Sequence, residues 1–246
     1  MAGLTDNLVA YWTMDEASGN RADSTANAHT LTDNNTVAAA AGILNNGADF
    51  ELTNGNEALS VADHADFDFS TAMSWQAWVK IEALVAGAHA IISKFVGGSQ
   101  ASYMLRHDGD GTVSLLIPDA LTDVDDSDCP RAGISSALVA GTLYHLVMIY
   151  DGTLSGNANR LKLYINNVLQ TLSFTGTIPA SLQDSTAAVV IGLEALLGTY
   201  EYDGIIDEVG AWSRALTADD VRVLYNGGVG IPYPLSSGGY LGGKFF

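Results

Sequence analysis

Residues 204–228 read GIIDEVGAWSRALTADDVRVLYNGG, and this one run contains a buried strand, a turn, a short capped helix and a stop. Ile205, Ile206, Val209, Ala211 and Trp212 are the residue types that fill a sheet facing a core. Thr217 is placed to cap a helix, and Asp220, three residues on, sets a negative charge against the free N–H groups of the first turn. Leu216 can staple to Val221 across that turn. Val221, Leu224 and Tyr225 recur at helical spacing, and Gly227 supplies a left-handed stop. The pair Asp207-Glu208 breaks the pattern. A carboxylate inside a strand that otherwise reads as buried needs a cation or hydrogen bonds, unless it faces solvent on an alternating strand.

Outward from this run, strand signals recur about every ten residues, separated by Gly, Asn, Asp and Ser, which is the pattern of a β-sandwich. Leu161–Leu169 (LKLYINNVL) reads as a hairpin with Leu161, Leu163 and Ile165 on one face and Asn166-Asn167 at the positive-φ turn. Tyr103–Ile117 reads as a second hairpin with Asp108–Gly111 at its tip. Asp33–Asn46 is alanine-rich and reads as a short helix or a loop, and Pro118–Gly133 as a long acidic surface loop. The 246 residues suit one all-β domain, and with 48% hydrophobic residues the chain can bury a large core.

Five blocks in order carry a family resemblance. They are LVAYWTMDE (Leu8–Glu16) with Gly19-Asn20 and Asp23-Ser24; Leu59–Asp63 through Phe67–Phe69 into MSWQAWV (Met73–Val79); IISK (Ile91–Lys94); YHLVMIY (Tyr144–Tyr150); and the closing run above. Together they resemble laminin-G-like domains of the concanavalin A-like lectin/glucanase superfamily. The resemblance implies an all-β, concanavalin A-like jelly-roll sandwich of two antiparallel sheets with one short C-terminal helix, here over residues 1–235. It also implies a structural calcium site joining the loop after the first strand to the acidic pair near the end. On this chain that means Asp23, with Asn27 or carbonyls of its loop, and Asp207, with Asp15 and Glu16 as weaker additions. Calcium chemistry suits these residues, because the ion gathers six to eight oxygens from loops.

The resemblance speaks against catalysis. Glucanases of the superfamily place carboxylates at E-x-D-x-x-E on one strand, and the nearest run here, Glu201-Tyr-Asp203-Gly-Ile-Ile206, has Ile206 where the acid/base should stand. The five histidines are scattered, and neither H-E-x-x-H nor G-x-S-x-G occurs. Asp123, Asp125, Asp126 and Asp128 form a second acidic cluster without the EF-hand pattern, and read as a solvated loop. Trp12, Trp75, Trp78 and Trp212 sit in strand patterns and read as core, whereas Tyr200 and Tyr202 are the candidate carbohydrate platforms.

Acidic residues number 28 against 10 basic ones, a formal charge of −18. Such a surface repels phosphate backbones and anionic lipids, so nucleic acid is no expected partner and no membrane insertion is expected. The single Cys129 excludes an internal disulfide. The N-terminus lacks the charged and apolar regions of a secretory signal, which points to an intracellular protein or to release by lysis or within a particle. The last residues, 236–246 (SSGGYLGGKFF), read as a flexible segment with isolated anchors Tyr240, Leu241, Phe245 and Phe246, expected to dock on the domain's own surface or, in preference, on a neighbouring subunit. The expectation is a non-catalytic display module of a larger assembly, of the type found in phage virions, with glycan-binding or adhesion capacity. The alternatives are a free calcium-dependent lectin and, last, a glycan-cleaving enzyme.

Overall fold

The computed structural model describes residues 3–123, 128–134, 138–194 and 200–235. Along the chain the strands are β1 (Leu8–Trp12), β2 (Thr32–Asn34), β3 (Ala38–Ala41), β4 (Asn46–Phe50), β5 (Ala58–Val61), β6 (Ala72–Ile81), β7 (Ala88–Val96) and β8 (Gln100–Asp108). They continue as β9 (Val113–Leu116), β10 (Arg131–Gly133), β11 (Leu143–Asp151), β12 (Leu161–Ile165), β13 (Val168–Leu169), β14 (Ser173–Thr175), β15 (Val189–Ile191) and β16 (Gly204–Trp212). A short turn of helix, α1 (Asn157–Arg160), precedes β12, and α2 (Ala218–Tyr225) follows β16.

Two antiparallel sheets result. One runs β13-β12-β11-β6-β16-β4-β3 with β1 also on β16, and the other runs β14-β10-β9-β8-β7-β15-β5-β2. This is the expected jelly-roll sandwich. Period-two alternation decides what lies between the sheets: Trp75, Ala77, Val79 and Ile81 of β6 and Leu146, Met148 and Tyr150 of β11 face the core. Val147 and Ile149 point the other way, into a smaller cluster with Tyr11, Trp212, Leu216, Val221 and Leu224 under α2. All four tryptophans are buried, as their strand context predicts. Trp75 stacks on Trp12 and Phe67 at ring distances of 6.3 and 6.2 Å.

The acidic pair of the opening run sits at a β-bulge. Asp207 opposes Trp78 and Gly210 opposes Gln76, so β16 spends one residue more than β6 across this step. Glu208 takes the left-handed conformation there (φ 49°). The extra residue resets the alternation, so Ile206, Val209 and Ala211 all face the core while Trp212 packs under α2. At the same point β16 exchanges its second neighbour: β4 pairs with residues 204–206 and β1 with 209–212. Asp207 closes that junction. Its carboxylate accepts N–H bonds from Ile43 (2.7 Å) and Leu44 (3.3 Å) in the β3–β4 turn and from Glu208 (2.8 Å). A Cβ on Gly42 would lie 2.2 Å from that carboxylate, so the turn requires glycine.

Helix α2 begins as expected, with Thr217 Oγ1 accepting from Asp220 N (3.2 Å) and Asp220 accepting from Thr217 N (2.8 Å). The left-handed stop begins on Asn226 (φ 47°) and continues through Gly227 (φ 66°), as expected. The alanine-rich segment is not a helix: β2, β3 and the start of β4 fall in it, joined by turns, because flanking edges of both sheets recruit it. Pro118–Gly133 includes β10, so it is not wholly loop. The hairpins at Asn166-Asn167 (φ 49° and 64°) and Asp108–Gly111 form as read. No helix among the described residues is long and apolar enough to cross a membrane. Tyr240, Leu241, Phe245 and Phe246, with Asp125 and Asp126, lie outside the described residues.

Candidate functional site

One end of the sandwich carries an open cleft of about 460 Å³. The starts of β1 and β6 and the end of β16 meet there: Leu8 and Val9, Ala72, and Ser213 form its floor. Asn7 and Asn27 line one side, and Ala65, Asp66, Asp68, Phe69, Ser70 and Thr71 the other. The lining therefore offers amide, carboxylate and hydroxyl groups around one mostly buried aromatic ring, Phe69.

Two loops shape the cleft, and each is fixed from within. Asp23 holds the loop after β1. Its Oδ1 accepts from Tyr11 N (3.0 Å) and Thr25 N (2.9 Å), and its Oδ2 from Thr25 Oγ1 and His29 N (both 2.9 Å). The Asn27 side-chain amide donates to Val9 O (2.7 Å). These bonds cover the open edge of β1, which an unpaired strand would otherwise expose. The second loop is clamped by Lys94, fully buried, whose ammonium reaches Asp63 (2.5 Å), Asp68 (3.2 Å) and Ala187 O (2.9 Å). A buried cation held by two carboxylates and a carbonyl satisfies its charge and fixes both ends of the turn 63–68.

Where the two loops touch, His29, His64 and Asp66 come together. His29 Nε2 lies 2.7 Å from Asp66 Oδ2, and His64 Nδ1 lies 3.4 Å from the same oxygen. The two imidazoles meet edge to face at 4.7 Å, and His29 also packs on Phe67 at 4.8 Å. Composition alone left these histidines scattered. The only local signal was the spacing His64-x-Asp66; the pairing with His29 is long-range and needs the fold.

The residues expected to hold calcium do not fit it. Asp23 and Asn27 do share a loop, but they bond to β1 and to that loop, whereas Asp207 bonds to the β3–β4 turn and its own strand. N–H donors converge on both carboxylates, and Asn27 turns its nitrogen inward. Such a donor set satisfies the hydrogen-bonding capacity of a carboxyl without a cation. Of the weaker additions, Asp15 accepts from Asn46 N (3.3 Å) and Glu16 from Ala22 N (2.8 Å), again closing loops.

Of the two candidate carbohydrate platforms, Tyr202 is corrected. Tyr202 is only 1% exposed and packs edge-on to Phe50 and His107, so no sugar can reach its ring. Tyr200 is half-buried, with the Arg106 guanidinium over its ring at 5.4 Å. Gly204, close after both tyrosines, begins β16 and marks the chain's return into the sheet. The run Glu201–Ile206 serves structure: Glu201 accepts from Asn56 N (2.7 Å), Asp203 from Leu52 N (3.4 Å), and Ile206 is wholly buried.

A second polar group lies buried beneath α2, away from the cleft. His145 Nε2 meets Gln76 Oε1 (3.0 Å), so that nitrogen carries the hydrogen. Gln76 Nε2 donates to Tyr11 Oη (3.3 Å) and to Glu208 O (3.2 Å), and Tyr11 donates to the Glu208 carboxylate. Burial pushes Glu208 up to about 8 and Asp207 up to about 7. Burial also pushes His145 down to about 3. Every member is enclosed by protein, which makes this network part of the scaffold.

Comparison with known proteins is consistent with this architecture. Residues 53–222 match the family model described as the concanavalin A-like lectin/glucanases superfamily. The human adhesion G-protein coupled receptor D1 is similar at 32% identity over 77 residues, 31% of this chain and 9% of the receptor. The chain thus corresponds to a small part of that relative. Among solved structures, the binding domain of Paraclostridial Mosquitocidal Protein 1 superposes with a TM-score of 0.66 at 16% identity, over 91% of this chain and 52% of that one. Domain 4 of AbnA, a GH43 extracellular arabinanase from Geobacillus stearothermophilus solved with arabinotriose, gives 0.56 at 21% identity, over 87% of this chain and 96% of that one. At these identities both show the fold alone.

Proposed function

The chain belongs to the concanavalin A-like lectin/glucanase superfamily, and from that premise we propose a non-catalytic binding module whose end-face cleft holds a glycan. The lining of the cleft carries the reading. Asn7, Asn27, Asp66, Asp68, Ser70, Thr71 and Ser213 present acceptors and donors beside Phe69, the mix by which concave sites orient a polyhydroxylated ligand. The loops bearing these groups are held by Asp23 and Lys94, so the site is formed before a ligand arrives. The arabinotriose-bearing relative supports the ligand class. A glycan array followed by titration of the best hit tests the reading. Ser70→Trp fills the cleft without removing any side-chain bond and is expected to weaken binding at least tenfold, about 1.4 kcal/mol. An empty array, or a Ser70→Trp protein that binds as wild type, would defeat it.

We further place the module in a larger assembly, a phage virion being the leading case. Support comes from the glycine-spaced anchors Tyr240, Leu241, Phe245 and Phe246 and from a net charge of −18 that suits a solvent-facing particle component. A chain ending at Leu235 is expected to keep its melting temperature and lose self-association or particle incorporation in light scattering. Unchanged assembly by the truncated chain would remove the tail from the account.

A further inference from the structure

We infer that His29, His64 and Asp66 form a binding site for one divalent transition-metal ion, zinc being the reference case. Two imidazoles and a carboxylate are ligands that zinc takes, and three protein ligands leave a fourth position for water. With bonds of about 2.0–2.2 Å, ligand atoms around a tetrahedral ion stand about 3.4 Å apart. The site is close to that geometry: Asp66 Oδ2 is 3.4 Å from His64 Nδ1 and 2.7 Å from His29 Nε2, and the three ligand atoms lie within 4.8 Å of one another. An ion entering between Asp66 and His29 needs that one contact, now 2.7 Å, to open by about 0.7 Å.

The ligands are held in different ways that suit capture. His29 is fixed: its N–H bonds Asp23, its carbonyl accepts from Trp12 Nε1 (2.7 Å), and its ring rests on Phe67. His64 and Asp66 are half-exposed, on a turn whose ends, Asp63 and Asp68, are pinned by Lys94. His64 Nδ1 now accepts from Asp66 N (3.2 Å), a bond that an ion held there would replace. The other histidines are engaged elsewhere. Both nitrogens of His89 sit on carbonyls, of Glu201 (2.6 Å) and Val85 (2.9 Å), His107 Nδ1 meets Asp108 O (3.0 Å), and His145 is fully buried.

The test is calorimetric titration of untagged full-length protein with zinc chloride, together with the visible d–d spectrum of the cobalt(II) form. One equivalent bound, a tetrahedral cobalt spectrum and a raised melting temperature are expected. His64→Ala and Asp66→Asn, both at half-exposed positions, are each expected to weaken zinc binding at least tenfold while circular dichroism stays native. Ser70→Trp should leave zinc binding unchanged, which separates this site from the glycan reading. Absence of zinc uptake, or uptake by His64→Ala equal to wild type, would overturn the assignment.

Discussion

Stability is expected to stay level from about pH 4.5 to 6.5 and then to fall by roughly 3 kcal/mol toward pH 9, with Glu208→Gln removing about two-thirds of that fall. Four buried groups give this shape. Asp207 and Glu208 are raised from 3.8 to about 7 and from 4.5 to about 8, so the folded chain holds protons that the unfolded chain has released. Their contribution is lost as pH rises through those values. His107 and His145 are lowered from 6.5 to about 4 and about 3, so the unfolded chain binds protons that the folded one refuses. Their contribution is lost as pH falls below 6.5. Between about pH 4.5 and 6.5 two extra protons on each side cancel, and above 6.5 only the carboxyls act. One pH unit per group is about 1.4 kcal/mol, so Glu208 supplies about 2 and Asp207 under 1 of the alkaline loss.

Glu208→Gln keeps an oxygen for the Tyr11 hydroxyl and removes the titrating proton. With one carboxyl gone, the balance below pH 6.5 is broken too, and the variant should gain about 3 kcal/mol between pH 4.5 and 6.5 relative to its own acid end. Urea melts at pH 5, 6.5 and 8.5 on both proteins decide the matter. A wild-type profile flat to pH 9, or an equal alkaline fall in both proteins, would contradict the argument. Because the two carboxyls are adjacent, the wild-type fall is a property of the pair. Asp207, with three N–H donors, is the member that takes the charge first, as pH climbs past 7.

The sequence exposed the sandwich more readily than the site, for physical reasons. Trp75, Ala77, Val79 and Ile81 alternate, and Thr217 with Asp220 caps a helix; both are local rules that neighbours in the chain satisfy. The bulge at Glu208 was legible only as a break in pattern, since an extra residue in a strand is defined by its partner strand. The alanine run at residues 38–41 carries little strand preference of its own and becomes β3 because β4 offers an edge. At the site, Asp23 and Asp207 were correctly seen as carboxylates needing partners, but the partners are N–H groups of turns, which no side-chain motif reveals. His29 and His64 stand far apart in sequence, and the bonds of His29 to Asp23, Trp12 and Asp66 together with its packing on Phe67 bring the two imidazoles together.

Gly204→Ala is expected to abolish soluble expression, whereas Gly19→Ala, at another left-handed glycine, should cost only about 1–2 kcal/mol. Gly204 has φ 135°, and a Cβ there would stand 2.1 Å from Lys80 O and 3.0 Å from Glu82 N. Those atoms belong to backbone. β6 has β11 on its far side over nine paired positions, so it cannot retreat as a side chain would. Gly19 (φ 78°) leaves a Cβ with no heavy atom within 4 Å, so it shows the conformational penalty without a collision. The difference between the two variants is therefore the collision together with the steeper backbone penalty at φ 135°. It adds several kcal/mol to a total stability of roughly 5–15 kcal/mol, enough to empty the native state of many domains. Parallel expression, circular dichroism and urea melts give the comparison. If Gly204→Ala folds and melts within 1 kcal/mol of Gly19→Ala, β16 does not run as close to β6 as the register places it. The bulge, the core phase of Val209 and Ala211, and the junction closed by Asp207 would then all have to be redrawn.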